Sequence, residues 1–165
     1  MINLDVLKLY LLVFLFSLIP TFEGRYALVF GIISGLDPLA SLLLASIAIT
    51  LLSIALGILI ELIDSLILSF ENSKNKLLLF IFNFYKKYVE RVRKKASPYV
   101  STYGLIGLII FVAIPLPGTG VWTGALAAYI LGIKRKITII ALTIGGLLSN
   151  LITFLLSYVY HITLI

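Results

Sequence analysis

The chain has no cysteine and only one histidine among its 165 residues. Disulfide bonds, a thiolate nucleophile and cysteine-ligated zinc or iron–sulfur sites are therefore excluded. Charge is scarce as well, because charged residues make up 12% of the sequence, where soluble domains carry about 25%. With 61% of the residues hydrophobic, these shortages exclude an ordinary water-soluble domain and indicate an integral membrane protein.

Acidic residues are few, with 7 Asp and Glu against 13 Lys and Arg, for a net charge of +6. Eight of the basic residues lie between Lys74 and Lys95, and three more form the triplet 134–136. Basic residues gather in this way in the cytoplasmic loops of membrane proteins, where they meet anionic lipid head groups. We therefore expect membrane lipids as partners and no nucleic acid.

Apolar runs long enough to cross a bilayer occur twice. A transmembrane helix needs about 20 apolar residues, and the sequence predicts such helices at residues 39–62 and 137–160. The two remaining apolar regions, residues 8–36 and 99–133, do not have the length of one span or of two. They require a different interpretation.

Both of these regions are interrupted near the middle by residues that break helices. Pro20 divides the first region, and the Pro- and Gly-rich stretch 115–120 divides the second. Proline lacks the N–H donor that a helix needs, and its ring clashes with the preceding turn. The economical interpretation is a re-entrant helical hairpin in each region, which enters and leaves the membrane by the same face.

The two halves of the chain follow one plan. Residues 1–64 and 99–165 each contain a predicted hairpin followed by a transmembrane helix, and Ile19-Pro20 aligns with Ile114-Pro115. Because one full crossing separates the copies, they have opposite orientation, as in the inverted repeats of many secondary transporters, whose sites lie near the membrane midplane. The predicted fold is an all-α integral membrane protein built from an inverted repeat.

A basic amphipathic helix at residues 65–98 joins the two copies, and Pro98 is predicted to end it. Its charged face and its apolar face, which runs from Leu77 to Val92, are typical of a helix in the membrane interface. With re-entrant hairpins, this linker and the loop Lys134–Lys136 lie on the cytoplasmic side of the cell membrane, and both termini lie outside. Single crossings at the hairpins would place the two basic clusters on opposite faces, against the positive-inside bias.

Small residues recur every four positions after each proline break. This spacing predicts helix faces that let backbones approach closely in lipid, and helix packing is the simplest role for them. The residues are Ala27, Gly31 and Gly35 in the first copy, and Gly120, Gly124, Ala128 and Gly132 in the second.

Glu23 and Arg25 are the candidate site residues with the clearest physical argument, because they follow Pro20 in the first break. A charge at membrane depth costs about 2.5–3.5 kcal/mol on insertion scales, so such residues usually have a use or a partner. Arg25 offers a planar fork for a phosphate or carboxylate, and Glu23 could exchange a proton. A structural ion pair between the two is the alternative.

The second break supplies the other half of the candidate site. Irregular backbone at membrane depth is tolerated only where it is buried in protein or lines a wet cavity. Free N–H groups at the start of the helix near Val121 would attract an anion, and Asn150, in the last predicted span, could line a cavity. The remaining candidate binding residues are Pro20, from the first break, and Pro115, Pro117, Gly118, Thr119, Gly120 and Trp122, the last of which packing also explains.

In a chain this short, the segments at 20–28 and 114–124, PTFEGRYAL and IPLPGTGVWTG, together resemble the small multidrug export proteins. These proteins are similar to the DedA/VTT superfamily of re-entrant-loop membrane proteins. The resemblance implies a transport fold. It also implies, from the DedA relatives, proton-coupled transport and recycling of polyprenyl-phosphate carriers, and, from the eukaryotic relatives, lipid scrambling.

The functional residues of the family can be assigned to positions in this sequence. The family's acidic residue and arginine correspond to Glu23 and Arg25, and its proline-containing second loop corresponds to residues 115–120. One departure matters, because DedA proteins carry arginines in the second loop and nothing between Lys95 and Lys134 is basic here.

Three functions are in competition. The preferred one is a membrane transporter or lipid flippase for an anionic amphiphile such as a polyprenyl-phosphate-type lipid, with protons as a candidate coupling ion. The second is a proton-driven small multidrug exporter of cationic compounds, and the third is a membrane-organising protein that does not transport. Because the sequence has no nucleophile–base or paired-carboxylate constellation, we expect no enzymatic activity and no cofactor. A homo-oligomer is compatible with the sequence.

Overall fold

Six helices and no strand build the described part of the protein. The computed structural model describes residues 4–163, with side chains described up to residue 157, so the predicted placement of both chain ends lies outside the described residues. The all-α prediction is confirmed. The helices are α1 (Leu4–Leu18), α2 (Glu23–Ile33), α3 (Pro38–Leu68), α4 (Lys76–Ala113), α5 (Val121–Ile130) and α6 (Arg135–Thr163).

Helices α1 and α2 form a helical hairpin, and residues 19–22, which we call the first loop, join them. The chain turns there because Pro20 cannot continue a helix and because Thr21 adopts a left-handed conformation, with φ of 82°. Phe16 in α1 packs edge-on against Phe30 in α2, with ring centroids 5.2 Å apart. The two helices have 15 and 11 residues, so neither reaches the length of about 20 that a span needs.

The linker helix differs from its prediction at both ends. It begins only at Lys76, where the Asn75 side chain caps its N-terminus, and residues 65–68 still belong to α3. Pro98 does not end it, because Pro98 lies inside α4 and helical geometry is lost at Gly104, with φ of 55° and ψ of −123°. A helix can absorb a proline by bending, whereas this backbone conformation favours glycine.

The second hairpin therefore starts at Gly104 rather than at residue 99. Its arms are residues 105–113, at the end of α4, and helix α5, and residues 114–120, the second loop, join them. The bend brings the backbone of Gly107 so close to the carbonyl of Tyr99 that a Cβ at position 107 would collide with it. Glycine at both positions permits the bend.

Among the described residues, three helices are long and apolar enough to cross a membrane, namely α3, α4 and the part Arg135–Ser157 of α6. Helices α3 and α6 correspond to the predicted spans 39–62 and 137–160, and α3 extends further, to Leu68. The third, α4, contains the linker and the first arm of the second hairpin. The protein is a multi-pass helical membrane protein.

Both basic segments lie near the C-terminal end of α3. The Arg135 guanidinium at the start of α6 is 3.9 Å from the Glu61 carboxylate. Tyr85 in α4 donates a hydrogen bond of 2.6 Å to Asp64 Oδ1. The two clusters thus share one end of the molecule, which the predicted topology requires.

The small residues predicted to pack helices have two different roles. A Cβ at Gly31 would lie 2.7 Å from a side-chain oxygen of α3, and one at Gly124 would collide with Val112, so both positions bring helices together. Gly35 and Gly132 have nothing within 4 Å and adopt φ of +78° and +70°. This left-handed conformation ends helices, so the packing prediction does not hold at these two positions.

Candidate functional site

The Glu23 side chain contacts the N-terminus of α5. Glu23, the first residue of α2, accepts hydrogen bonds from the backbone N–H groups of Val121 and Trp122, each at 3.3 Å. These N–H groups belong to the N-terminus of α5, where the helix dipole favours negative charge. The anion site predicted near Val121 is therefore occupied by the protein's own carboxylate.

Arg25, which belongs to the first hairpin, binds the backbone of the second loop. Its Nη1 donates to the carbonyl oxygens of Ile114 and Leu116, both at 3.2 Å. Its Nη2 donates to the carbonyl oxygen of Thr119 and, at 3.2 Å, to Glu23 Oε2. Both charged side chains are buried, with 4% of Arg25 and 5% of Glu23 exposed. Of the nitrogen and oxygen atoms in these two side chains, Arg25 Nε alone lacks a hydrogen-bond partner among the described residues.

The second loop makes its own hydrogen bonds, since the Thr119 hydroxyl lies within hydrogen-bonding distance of the carbonyl oxygens of both Ile114 and Leu116. Because Pro115 and Pro117 have no N–H to donate, Arg25 adds further donors to these carbonyls from the other hairpin. A buried polar group without a partner costs about 1–3 kcal/mol. The Glu23–Arg25 ion pair is therefore a structural connection between the two hairpins, as well as a part of the candidate site.

A cavity of about 750 Å³ lies beside this ion pair. No group of three His, Cys, Asp or Glu side chains that could bind a metal ion occurs in the described part of the chain. The cavity reaches the surface, since Phe84 and Arg91 in its lining are exposed. The lining residues are Pro20, Thr21, Phe22, Glu23, Arg25, Tyr26, Ile60, Ile63, Phe84, Tyr85, Tyr88, Arg91, Pro117, Gly118, Thr119, Trp122, Thr123 and Leu126.

Most of the predicted binding residues line this cavity, and three do not. Pro115 lies between the two carbonyls that Arg25 Nη1 binds. Gly120 lies against Glu23 and Arg25, which leave no room for a Cβ. Asn150 is buried against Gly24, away from the lining, and its amide nitrogen has no partner among the described residues.

Trp122 connects the two hairpins a second time. Its Nε1 donates a hydrogen bond of 3.2 Å to the carbonyl oxygen of Leu18, at the end of α1. Because Trp122 also lines the cavity and is the only tryptophan of the chain, its indole is a natural reporter of ligand entry.

The sequence pattern does not predict the wall that α4 contributes. Phe84, Tyr85, Tyr88 and Arg91 line the cavity, and the Tyr88 hydroxyl lies 3.0 Å from Thr123 Oγ1 of α5. The apolar face of the linker helix therefore packs partly on the rest of the protein. The available signal is the recurrence of Tyr85, Tyr88 and Arg91 at every third position along that face.

The fold and the cavity together define a multi-pass helical membrane protein with a ligand-sized cavity between two hairpin loops. Residues 23–152 match the model of the family described as "Putative small multi-drug export protein", and the chain belongs to this family. The match confirms the resemblance carried by the two loop motifs. No curated protein and no solved structure matches the chain.

Proposed function

We propose that this protein is a membrane transporter that binds an anionic amphiphile in the cavity between the two hairpin loops. The observation that carries the proposal is the cavity. Its volume of about 750 Å³ falls in the range of small-molecule sites, about 300–1,000 Å³. Membership of an export-protein family supports transport rather than a purely organising role.

The lining of the cavity favours a ligand with an apolar body. Phe84, Tyr88 and Trp122 present aromatic surface, and Ile63 and Leu126 present aliphatic surface. Each Å² of apolar surface removed from water contributes about 25 cal/mol. A polyprenyl or acyl chain would bury such surface here.

The charges around the cavity favour an anionic head group. Glu23 is engaged by Arg25 and by two backbone N–H groups, and Asp64, behind the lining, accepts a hydrogen bond from Tyr85. Arg91 makes no hydrogen bond or ion pair with any described residue. Proton-driven export of a cation, the rival function, would require Glu23 to leave Arg25.

In the proposed topology the two hairpins are re-entrant and the two halves are inverted. The cavity then opens to the cytoplasmic side, where Lys74–Lys95 lies, and the Glu23–Arg25 ion pair closes it toward the other face. Substrate passage therefore requires the two loops to separate. In this cysteine-free chain, single cysteines at positions 90 and 134 should be labelled from the same face, and labelling from opposite faces would contradict the topology.

The fluorescence of Trp122 tests the proposed substrate class directly. Purified protein in detergent is titrated with farnesyl phosphate, farnesol and dodecyltrimethylammonium. We expect a saturable change with farnesyl phosphate, a weaker one with farnesol and none with the cation. A saturable response to the cation alone would favour the exporter of cations, and no response to any probe would favour a membrane-organising protein.

Phe84→Ala and Phe80→Ala are a matched pair for this titration. Both side chains belong to α4 and are 68% exposed, but only Phe84 lines the cavity. Loss of one aromatic contact should weaken binding about five- to tenfold in Phe84→Ala, and Phe80→Ala should bind as the parent does. Equal weakening in both variants would place the ligand outside the cavity.

A further inference from the structure

We infer that Arg91 and Lys95 bind the phosphate group of the substrate, an inference that rests on the proposed transport of an anionic amphiphile. The two residues lie one turn apart on one face of α4. Arg91 lines the cavity, and Lys95 Nζ lies 3.1 Å from the position that a Cβ at Gly118 would take. Because Gly118 also lines the cavity, Lys95 lies next to the lining, on the same helix as Arg91.

These two cations are available to a ligand. Neither forms an ion pair or hydrogen bond with a residue in the described part of the chain, and both are exposed. Arg25 is the other cation in the lining, but its Nη groups bind Glu23 and three backbone carbonyls. Turning Arg25 toward a substrate would break these bonds and leave the buried Glu23 carboxylate without its counter-ion, which is costly.

This placement explains how a second loop without basic residues can face an anion. Nothing between Lys95 and Lys134 is basic, so the charge for that side of the cavity comes from α4. Gly118, with φ of +79°, has no side chain that would hold Lys95 away from the loop. The linker helix thus supplies the basic side chains that the second loop lacks.

A phosphate monoester matches the arrangement chemically. It carries about 1.5–2 negative charges at neutral pH, which two neighbouring cations can balance. The guanidinium of Arg91 can bind two phosphate oxygens at once, and the ammonium of Lys95 adds a point charge. The apolar chain of the ligand would then follow Phe84 and Tyr88 toward Trp122.

The test compares two double variants with the same net charge. Arg91→Gln with Lys95→Gln removes the proposed site, and Lys86→Gln with Arg93→Gln removes two exposed cations of α4 that do not line the cavity. Titration of Trp122 fluorescence with farnesyl phosphate should show binding weakened about 20-fold or more in the first variant. Binding of farnesol should be unchanged in both variants, and the second variant should bind farnesyl phosphate as the parent does.

The outcomes separate this inference from the proposed function. Unchanged affinity of the first variant for farnesyl phosphate, or equal weakening in the second, would overturn the role of Arg91 and Lys95 while the cavity remains a binding site. A parent that binds neither farnesyl phosphate nor farnesol would overturn the proposed function itself. Inorganic phosphate that competes as strongly as farnesyl phosphate would assign the site to free phosphate and not to a lipid head group.

Discussion

The two hairpin loops meet at the Glu23–Arg25 ion pair, yet they contribute opposite kinds of groups. The first loop, residues 19–22, is followed by the charged side chains of Glu23 and Arg25. The second loop, residues 114–120, contributes backbone carbonyls that Arg25 binds, and it leads into the N–H groups that Glu23 binds. The charged side chains of one hairpin thus bind the backbone of the other, so the two hairpins need not carry the same polar residues.

Arg25→Gln should have the largest effect, because it breaks the connection between the two loops. A glutamine cannot reach all three carbonyls, and Glu23 would lose its counter-ion. Removing one partner of a buried ion pair costs about 3–5 kcal/mol of the free energy of unfolding. Chemical unfolding in detergent measures this loss, and Arg25→Lys should recover only part of it, because an ammonium cannot reproduce the planar fork.

Arg135→Gln is the matched control for this prediction. Its ion pair with Glu61 is exposed, with 58% and 67% of the two side chains accessible. Such a surface pair contributes less than about 1 kcal/mol. If both arginine variants lost the same stability, the Glu23–Arg25 ion pair would not be what joins the loops.

The second hairpin should also be the more sensitive to added volume. Gly124→Ala places a methyl group against Val112 and 2.9 Å from Leu142 Cδ2, in the apolar core, and overpacking of this kind costs about 1–3 kcal/mol. Gly31→Ala should cost less, because its nearest contacts, Ser41 Oγ at 2.7 Å and Val13 Cγ2 at 3.0 Å, are longer than the contact with Val112 at position 124.

Leu156→Ala serves as the control for these glycine variants, since Leu156 is 64% exposed and a surface change typically stays within about 0.5 kcal/mol. Thermal unfolding of the three variants in one detergent makes the comparison. A Gly124→Ala variant as stable as the parent would show that the arms of the second hairpin are not closely packed.

The last predictions concern where the second hairpin begins. Gly104 has nothing within 4 Å, so Gly104→Ala should cost only the backbone strain at φ of 55° and ψ of −123°, about 1–3 kcal/mol. Pro98→Ala should be neutral or stabilising, because alanine restores the hydrogen bond that proline removes. If Pro98→Ala were more destabilising than Gly104→Ala, the hairpin would begin at Pro98 and not at Gly104.

Much of the architecture follows from signals that are local in the sequence. The lengths of the apolar runs predict the spans in α3 and α6, and Pro20 and Pro115 predict the two loops because proline interrupts a helix wherever it cannot be accommodated. Pro98 shows the limit of this signal. A proline that a helix absorbs by bending looks the same in the sequence as one that ends it, and the conformation of Gly104 decides the boundary.

The polar contacts of the site could be predicted only in part. A charge in an apolar segment needs a partner, which singles out Glu23 and Arg25. The sequence does not reveal that the partners of Arg25 include backbone carbonyls 89 and 91 positions away. Hydrophobic periodicity likewise cannot distinguish a helix face that packs on protein from one that faces lipid. The cavity wall formed by Tyr88 and Arg91 therefore could not be predicted.

The most direct test of the central claim, that the cavity between the loops is the substrate site, uses the absence of cysteine. Single cysteines replace Phe84, which lines the cavity, and Phe80, which is equally exposed and does not. A thiol reagent then labels each variant with and without farnesyl phosphate. Occupation of the cavity predicts that the ligand slows labelling at position 84 and leaves position 80 unchanged. Protection at both positions, or at neither, would contradict it.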